Sequence, residues 1–166
     1  SICSTRIQAG SGYPGLQTLL DCSSSDFSGR VPIIADGGIR NSGDIVKALA
    51  AGADFVMLGS LLSGTEETPS DTLDVAGETR KVYRGMASRE AQLAWRGKTS
   101  SLEGVATTVA HKGSVEHTLS DLERGIRSGL SYSGARTIED FQSVAEFVRQ
   151  TRAGTVESGT HIMRVL

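Results

Sequence analysis

One stretch narrows the choice of fold more than any other: residues 31–60, VPIIADGGIRNSGDIVKALAAGADFVMLGS. The apolar run at 31–35 ends in Asp36-Gly37-Gly38 and predicts a short strand buried on both faces. Ile45, Val46, Leu49 and Ala50 then share one helical face, with Ser42 as the expected N-cap and Gly52 as the stop. Residues 54–60, DFVMLGS, predict a second buried strand running into Gly59 and Ser60. Strand, turn, helix and strand within about thirty residues make a βαβ unit. The expected fold class is therefore α/β with parallel strands.

Around this unit the patterns are weaker. Leu16, Leu19 and Leu20, with Pro14 near the start, predict a helix over 13–23, in which Cys22 reads as an inert residue. Residues 72–86 read as two short strands about the turn Ala76-Gly77-Glu78, a hairpin inserted after the second strand. Residues 87–102, ASREAQLAWRGKTSSL, are polar and weakly patterned, and a mobile flap is expected there. Val115, Leu119, Leu122, Ile126 and Leu130 keep close to a 3.6-residue period and predict a long amphipathic helix. A last helix is expected over 137–151, capped by Thr137, with Phe141, Val144, Ala145 and Val148 facing inward. Residues 151–166 read as an extended tail.

Composition removes several function classes. A net charge of −2, with no basic stripe around Trp95 or the tyrosines, argues against nucleic acid as a partner. No apolar run approaches the ~20 residues that span a bilayer, so no membrane association is expected. Cys3 and Cys22 make no disulfide framework and suggest a reducing, cytoplasmic setting. His111, His117 and His161 lack metal-ligand spacing, which argues against zinc.

Chemistry in α/β folds gathers at the carboxyl ends of the strands. Asp36-Gly37-Gly38 can accept both hydroxyls of a ribose while the backbone comes close, and Gly59-Ser60 can offer N–H groups and a hydroxyl to a phosphate. Equally, Asp36 can cap the next helix, with the glycines serving only the turn. Cys3, in SICSTR, is open in the same way: a nucleophile on a loop, or a buried thiol.

Several segments together resemble one family. SICSTR, PIIADGGIRNSGDIVKALAAGADFVMLGS, GTEETP, YRGM, HKGSVEHTL and GIRSGLSYSGA are similar, in order and spacing, to the IMP dehydrogenase/GMP reductase family of (β/α)₈ barrels. The resemblance covers nearly the whole chain. It implies that residues 1–166 are the C-terminal half of such a TIM barrel, with an inserted β-hairpin and a flap, the earlier half being absent. It further implies Cys3 as the nucleophile that attacks C2 of a purine. Ser1 and Ser60 would hold the 5′-phosphate with Gly38 and Gly59, Asp36 the ribose, and Tyr83, Gly85 and Met86 the base.

Within the family, the dehydrogenase branch hydrolyses its covalent intermediate with an Arg-Tyr pair on a long flap. Here 87–102 is short and holds no Arg-Tyr pair, and GSGYP after the cysteine loop also looks like the reductase branch. The resemblance then implies an NADPH-dependent conversion of GMP to IMP and ammonia, with Thr5 and Glu103 relaying the proton to the departing amine. Ser88, Arg89 and Ser101 become candidate cofactor contacts. The tail AGTVESGTH is instead similar to the dehydrogenase branch, where a neighbouring subunit's tail helps to bind K⁺ beside the cysteine loop. On that resemblance Cys3, Glu157, Ser158 and Gly159 are candidate K⁺ ligands, and a homotetramer or higher assembly is expected.

Overall fold

A computed structural model describes residues 3–25, 31–100 and 104–160. Beyond Cys3 come helix α1 (Thr5–Ala9), ended by Gly10 in the left-handed region, and helix α2 (Gly15–Ser23), which starts at Pro14. Strand β1 (Ile34–Asp36), helix α3 (Ser42–Ala50) and strand β2 (Phe55–Met57) form the expected βαβ unit. The strands pair in parallel, Ile34 opposite Phe55 and Asp36 opposite Met57, so both carboxyl ends open on the same side. This is an α/β fold.

Helix α3 begins one residue earlier than Ser42 suggested. Its N-cap is Asn41, whose Oδ1 accepts from the Asp44 amide at 2.9 Å, while the Asp44 carboxylate accepts from the Arg40 amide at 3.0 Å. The strands also depart from expectation. Ala35 is buried and Val56 half-buried against the helices, but Ile34, Phe55 and Met57 lie exposed on the opposite face. Alternation along two short strands sends every second side chain away from the helical layer.

The hairpin forms as expected from strand β3 (Thr72–Val75) and strand β4 (Glu78–Arg84). Ala76 and Gly77 both have positive φ, 55° and 82°, the pattern of a two-residue type I′ turn. Within the flap segment, helix α4 (Arg89–Arg96) is capped by Ser88, whose hydroxyl accepts from the Ala91 amide, and ended by Gly97 in the left-handed region. Its inner face is Ala91 and Gln92, a small residue and a polar one, so it left no apolar period to read. Strand β5 (Ala106–Ala110) joins β4 antiparallel and completes a three-stranded sheet that the sequence did not announce.

Helix α5 (Val115–Tyr132) carries Leu122, Ile126 and Leu130 into the core. It packs on α3 closely: a Cβ on Gly129 would lie 2.6 Å from the Val46 side chain. Helix α6 (Ile138–Val144), capped by Thr137, buries Phe141 and rests Ala145 on the core. It stops there, because Ala145 turns extended, and Val144 and Val148 are exposed rather than inward. The tail is also not extended throughout: helix α7 (Arg152–Glu157) forms on its cap Thr151. The core gathers Leu19, Ala35, Ile39, Ile45, Leu49, Leu122 and Phe141 around α3.

Candidate active site

The carboxyl ends of β1 and β2 carry the polar groups that the sequence singled out. Asp36 closes β1, and Gly37 and Gly38 follow at φ 93° and 80°, a left-handed path that a side chain would strain. Apart from the adjacent residues, no atom lies within 4 Å of where their Cβ atoms would stand, so the backbone faces open space. Past β2, Gly59 and Ser60 form the second rim. Tyr83 comes across from β4, and a Cβ on Gly59 would meet its hydroxyl at 3.5 Å. The phenol therefore stands over the Gly59 turn.

Cys3 enters from the other side. Its Sγ lies 2.9 Å from the Thr5 hydroxyl, and its backbone forms an isolated antiparallel bridge with Gly104. Gly104 leaves no room for a side chain, since a Cβ there would stand 2.6 Å from the Ser88 amide nitrogen. The loop behind Cys3 is closed by Arg6, which donates to the Tyr13 carbonyl at 2.6 Å, and by Tyr13, which donates to Asp21 at 3.1 Å. That hydrogen bond, and the Asp21 charge behind it, push the Tyr13 phenol above its ordinary value.

These parts surround one cavity of about 580 Å³. Cys3, Asp36, Gly38, Gly59, Ser60, Tyr83, Gly85 and Met86 all line it. Arg40, Met57, Ala87 and Gly104 line it too and were not singled out from the sequence. Arg40 follows directly on DGGI and could have been found from that position; Gly104 becomes visible only through its bridge to Cys3. A thiol beside a hydroxyl, a carboxylate at one wall and a glycine-serine turn at another suit a nucleophile attacking a bound polyhydroxylated anion.

Other candidates stand elsewhere. Ser1, Ser101 and Glu103 lie outside the described residues. Ser88 is fully buried, and its hydroxyl accepts from the Ala91 amide to cap α4. Arg89 is exposed at the start of α4. Glu157 ends α7, and Ser158 and Gly159 follow it, their amides donating to the Gly154 and Val156 carbonyls. Among the described residues no group of three or more His, Cys, Asp or Glu side chains could hold a metal ion. No described helix is long and apolar enough to cross a membrane. A larger groove of about 770 Å³ runs along α5 between apolar side chains such as Leu119 and Ile126, with no cysteine or histidine among its lining residues.

The sequence model of the IMP dehydrogenase / GMP reductase domain matches residues 1–161. An inosine-5′-monophosphate dehydrogenase of Nitrosopumilus maritimus is 47% identical, the match covering 97% of this chain and 36% of the relative. A GMP reductase of Leishmania major is 45% identical over 97% of this chain and 35% of the relative. The crystal structure of a GMP reductase variant from Trypanosoma brucei, in complex with guanosine 5′-monophosphate, superposes with a TM-score of 0.92 at 49% identity. It is matched over 99% of this chain and 35% of its own. The chain thus spans little more than a third of the length of these relatives.

Proposed function

This chain belongs to the IMP dehydrogenase/GMP reductase family, and on that premise we propose that it is the C-terminal half of a GMP reductase barrel. The reaction is the NADPH-dependent conversion of GMP to IMP and ammonia. The observation that carries the reading is the thiol of Cys3, 2.9 Å from the Thr5 hydroxyl, opening on the cavity walled by Asp36 and the Gly59–Ser60 turn.

In this scheme the 5′-phosphate docks on Gly38, Gly59 and Ser60 with Ser1; Tyr83, expected at the base, lies beside the phosphate instead, because its hydroxyl stands over Gly59. Asp36 accepts from the ribose hydroxyls, and Gly85 and Met86 border the base. The Cys3 thiolate attacks C2 of guanine. The C2–N bond breaks, and Thr5 with Glu103 passes a proton to the amine, which leaves as ammonia. Arg89 and Ser101 would hold NADPH, which when bound would supply the hydride that ends on C2. The C–S bond then breaks, returning the thiolate and releasing IMP. For each GMP, one NADPH and two protons are consumed, and IMP, NADP⁺ and ammonium result.

The choice of reductase rests on residues 87–102. A dehydrogenase needs a group to activate water against the thioimidate on Cys3; this segment holds no Arg-Tyr pair, and its described part is spent on the short capped helix α4. IMP dehydrogenase is kept as the second reading because dehydrogenases and reductases match this chain at similar identity. The segment Glu157-Ser158-Gly159 also supports it: carbonyls at the C-terminal end of a helix offer hard oxygen and a negative dipole end, which suit K⁺. A cation shared between Cys3 and a neighbouring subunit's tail would require an assembly, for which we propose a homotetramer.

The test uses the full-length protein that contains this chain. Nicotinamide absorbance is followed with GMP and NADPH, and separately with IMP and NAD⁺, in the presence of K⁺. NADPH consumption with ammonia release supports the reductase. NADH formation assigns the dehydrogenase and overturns the flap argument. Nucleotide binding with turnover in neither mixture identifies a purine-nucleotide-binding paralogue.

A further inference from the structure

The segment that follows Ser60 is held in an unusual way. Lys81, on β4, is 4% exposed, and its Nζ donates to the carbonyls of Thr65 at 3.0 Å, Glu66 at 3.1 Å and Thr68 at 2.6 Å. Lys112, just past β5, donates from its Nζ to the carbonyls of Ser60 and Leu61, both at 3.2 Å. Two ammonium groups thus hold residues 60–68 by their backbone oxygens. The Lys112 amide adds a bond to the Gly64 carbonyl at 2.8 Å.

Neither lysine is ion-paired with a carboxylate among the described residues. A buried ammonium is costly unless its charge is met. Here three carbonyl dipoles satisfy the three N–H bonds of Lys81 without neutralising the charge. Lys81 and Tyr83 also project from the same face of β4, two residues apart. One strand face therefore anchors the far end of the segment through Lys81 and covers its near end, Gly59, with the Tyr83 hydroxyl.

We propose that Lys81 and Lys112 are positioning residues for the Gly59–Ser60 phosphate turn. They fix the turn through its following carbonyls and leave two positive charges behind the place where the nucleotide 5′-phosphate docks. This rests on the reading of Gly59–Ser60 as the phosphate end of the nucleotide site. The pair thereby favours a 5′-monophosphate over the corresponding nucleoside.

The test compares GMP and guanosine binding to the full-length protein by calorimetry, with steady-state kinetics alongside. Lys112 is exposed, so Lys112→Met is the variant that should fold normally. It is expected to weaken GMP binding about tenfold and raise KM by the same factor, while kcat and guanosine binding stay within about twofold. Added salt should narrow the difference between wild type and variant. Lys112→Arg, which keeps a charged donor, should recover most of the loss. Lys81→Met should act in the same direction if it remains soluble.

Equal weakening of GMP and guanosine with a lowered Tm would assign the lysines a merely structural role and overturn the proposal. So would unchanged GMP affinity in Lys112→Met. A wild-type protein that bound neither GMP nor IMP would instead remove the nucleotide reading itself, and this proposal with it.

Discussion

The sulfur of Cys3 stands 2.9 Å from the hydroxyl oxygen of Thr5. At that distance the hydroxyl can donate to a thiolate, or pass a proton to a group leaving the carbon that the sulfur attacks. Thr5→Val keeps a β-branched side chain of similar volume and removes only this group. Turnover of GMP by the full-length protein should fall about 10²-fold or more, with GMP affinity changed by less than about threefold. Ammonia release and NADPH absorbance report it, and an unaltered rate would take Thr5 out of the chemistry.

Gly104 holds Cys3 in place by its backbone bridge and touches the Ser88 amide where a side chain would be. Gly104→Ala must push the chain apart at that contact. A cost of about 1–3 kcal/mol in urea unfolding is expected. Displacing the nucleophile should also lower turnover by about 10²-fold. Alkylation of Cys3 by iodoacetamide, measured with and without GMP, separates the two effects: loss of GMP protection marks a displaced thiol.

Asp36 lines the cavity one residue before the two left-handed glycines. If it accepts the ribose hydroxyls, Asp36→Asn should weaken GMP binding about 10- to 100-fold, the range for hydrogen bonds to a charged group. The variant should lose most of its preference for GMP over its 2′-deoxy analogue. A preference kept intact would return Asp36 to a turn residue.

Glu67 joins the same lysine-held segment to α5. Its Oε2 accepts from the Val115 amide at 2.8 Å and its Oε1 from the Ser114 hydroxyl at 3.1 Å. Its own backbone amide first, and then that of Val115, hold its carboxyl below the ordinary 4.5. The folded form thus resists protonation more than the unfolded chain does. Its stabilising contribution is complete above the ordinary value and is lost as pH falls through the depressed one. Glu67→Gln should therefore lower the urea midpoint at pH 7. The gap to wild type should close in acid, and a gap that persisted there would show that the charge is not what matters.

Ala76 sits at φ 55°, a left-handed position where asparagine or glycine is the better residue. Ala76→Asn should stabilise the hairpin by about 0.5–1 kcal/mol, read from thermal or urea unfolding. A loss of stability would mean that the Ala76 methyl group contributes a contact worth more than the strain it carries.

The site was legible to different depths along the chain. Asp36, Gly38, Gly59 and Ser60 could be read because strand ends are announced locally, by an apolar run followed by glycine. Cys3 could be placed only through the family resemblance, since two preceding residues give no pattern. Gly104 and Arg40 were passed over: Gly104 matters through a bridge to a residue about a hundred positions away, and Arg40 reads as an ordinary polar residue after the strand.

By itself the sequence determined the βαβ unit, the hairpin turn and the starts of α5 and α6, because periodicity and caps act within a few residues of themselves. Tertiary structure decided the rest. ATTVA becomes β5 only by pairing with β4, whose hydrogen bonds it completes. Polar Gln92, rather than a leucine, fills the inner face of α4. Val148 ends outside because α6 stops once Ala145 has met the core. Lys81, an exposed residue by every local rule, is buried because three carbonyls from a distant segment converge on its ammonium group. Burial and pairing depend on what the rest of the chain brings alongside, and no local pattern encodes that.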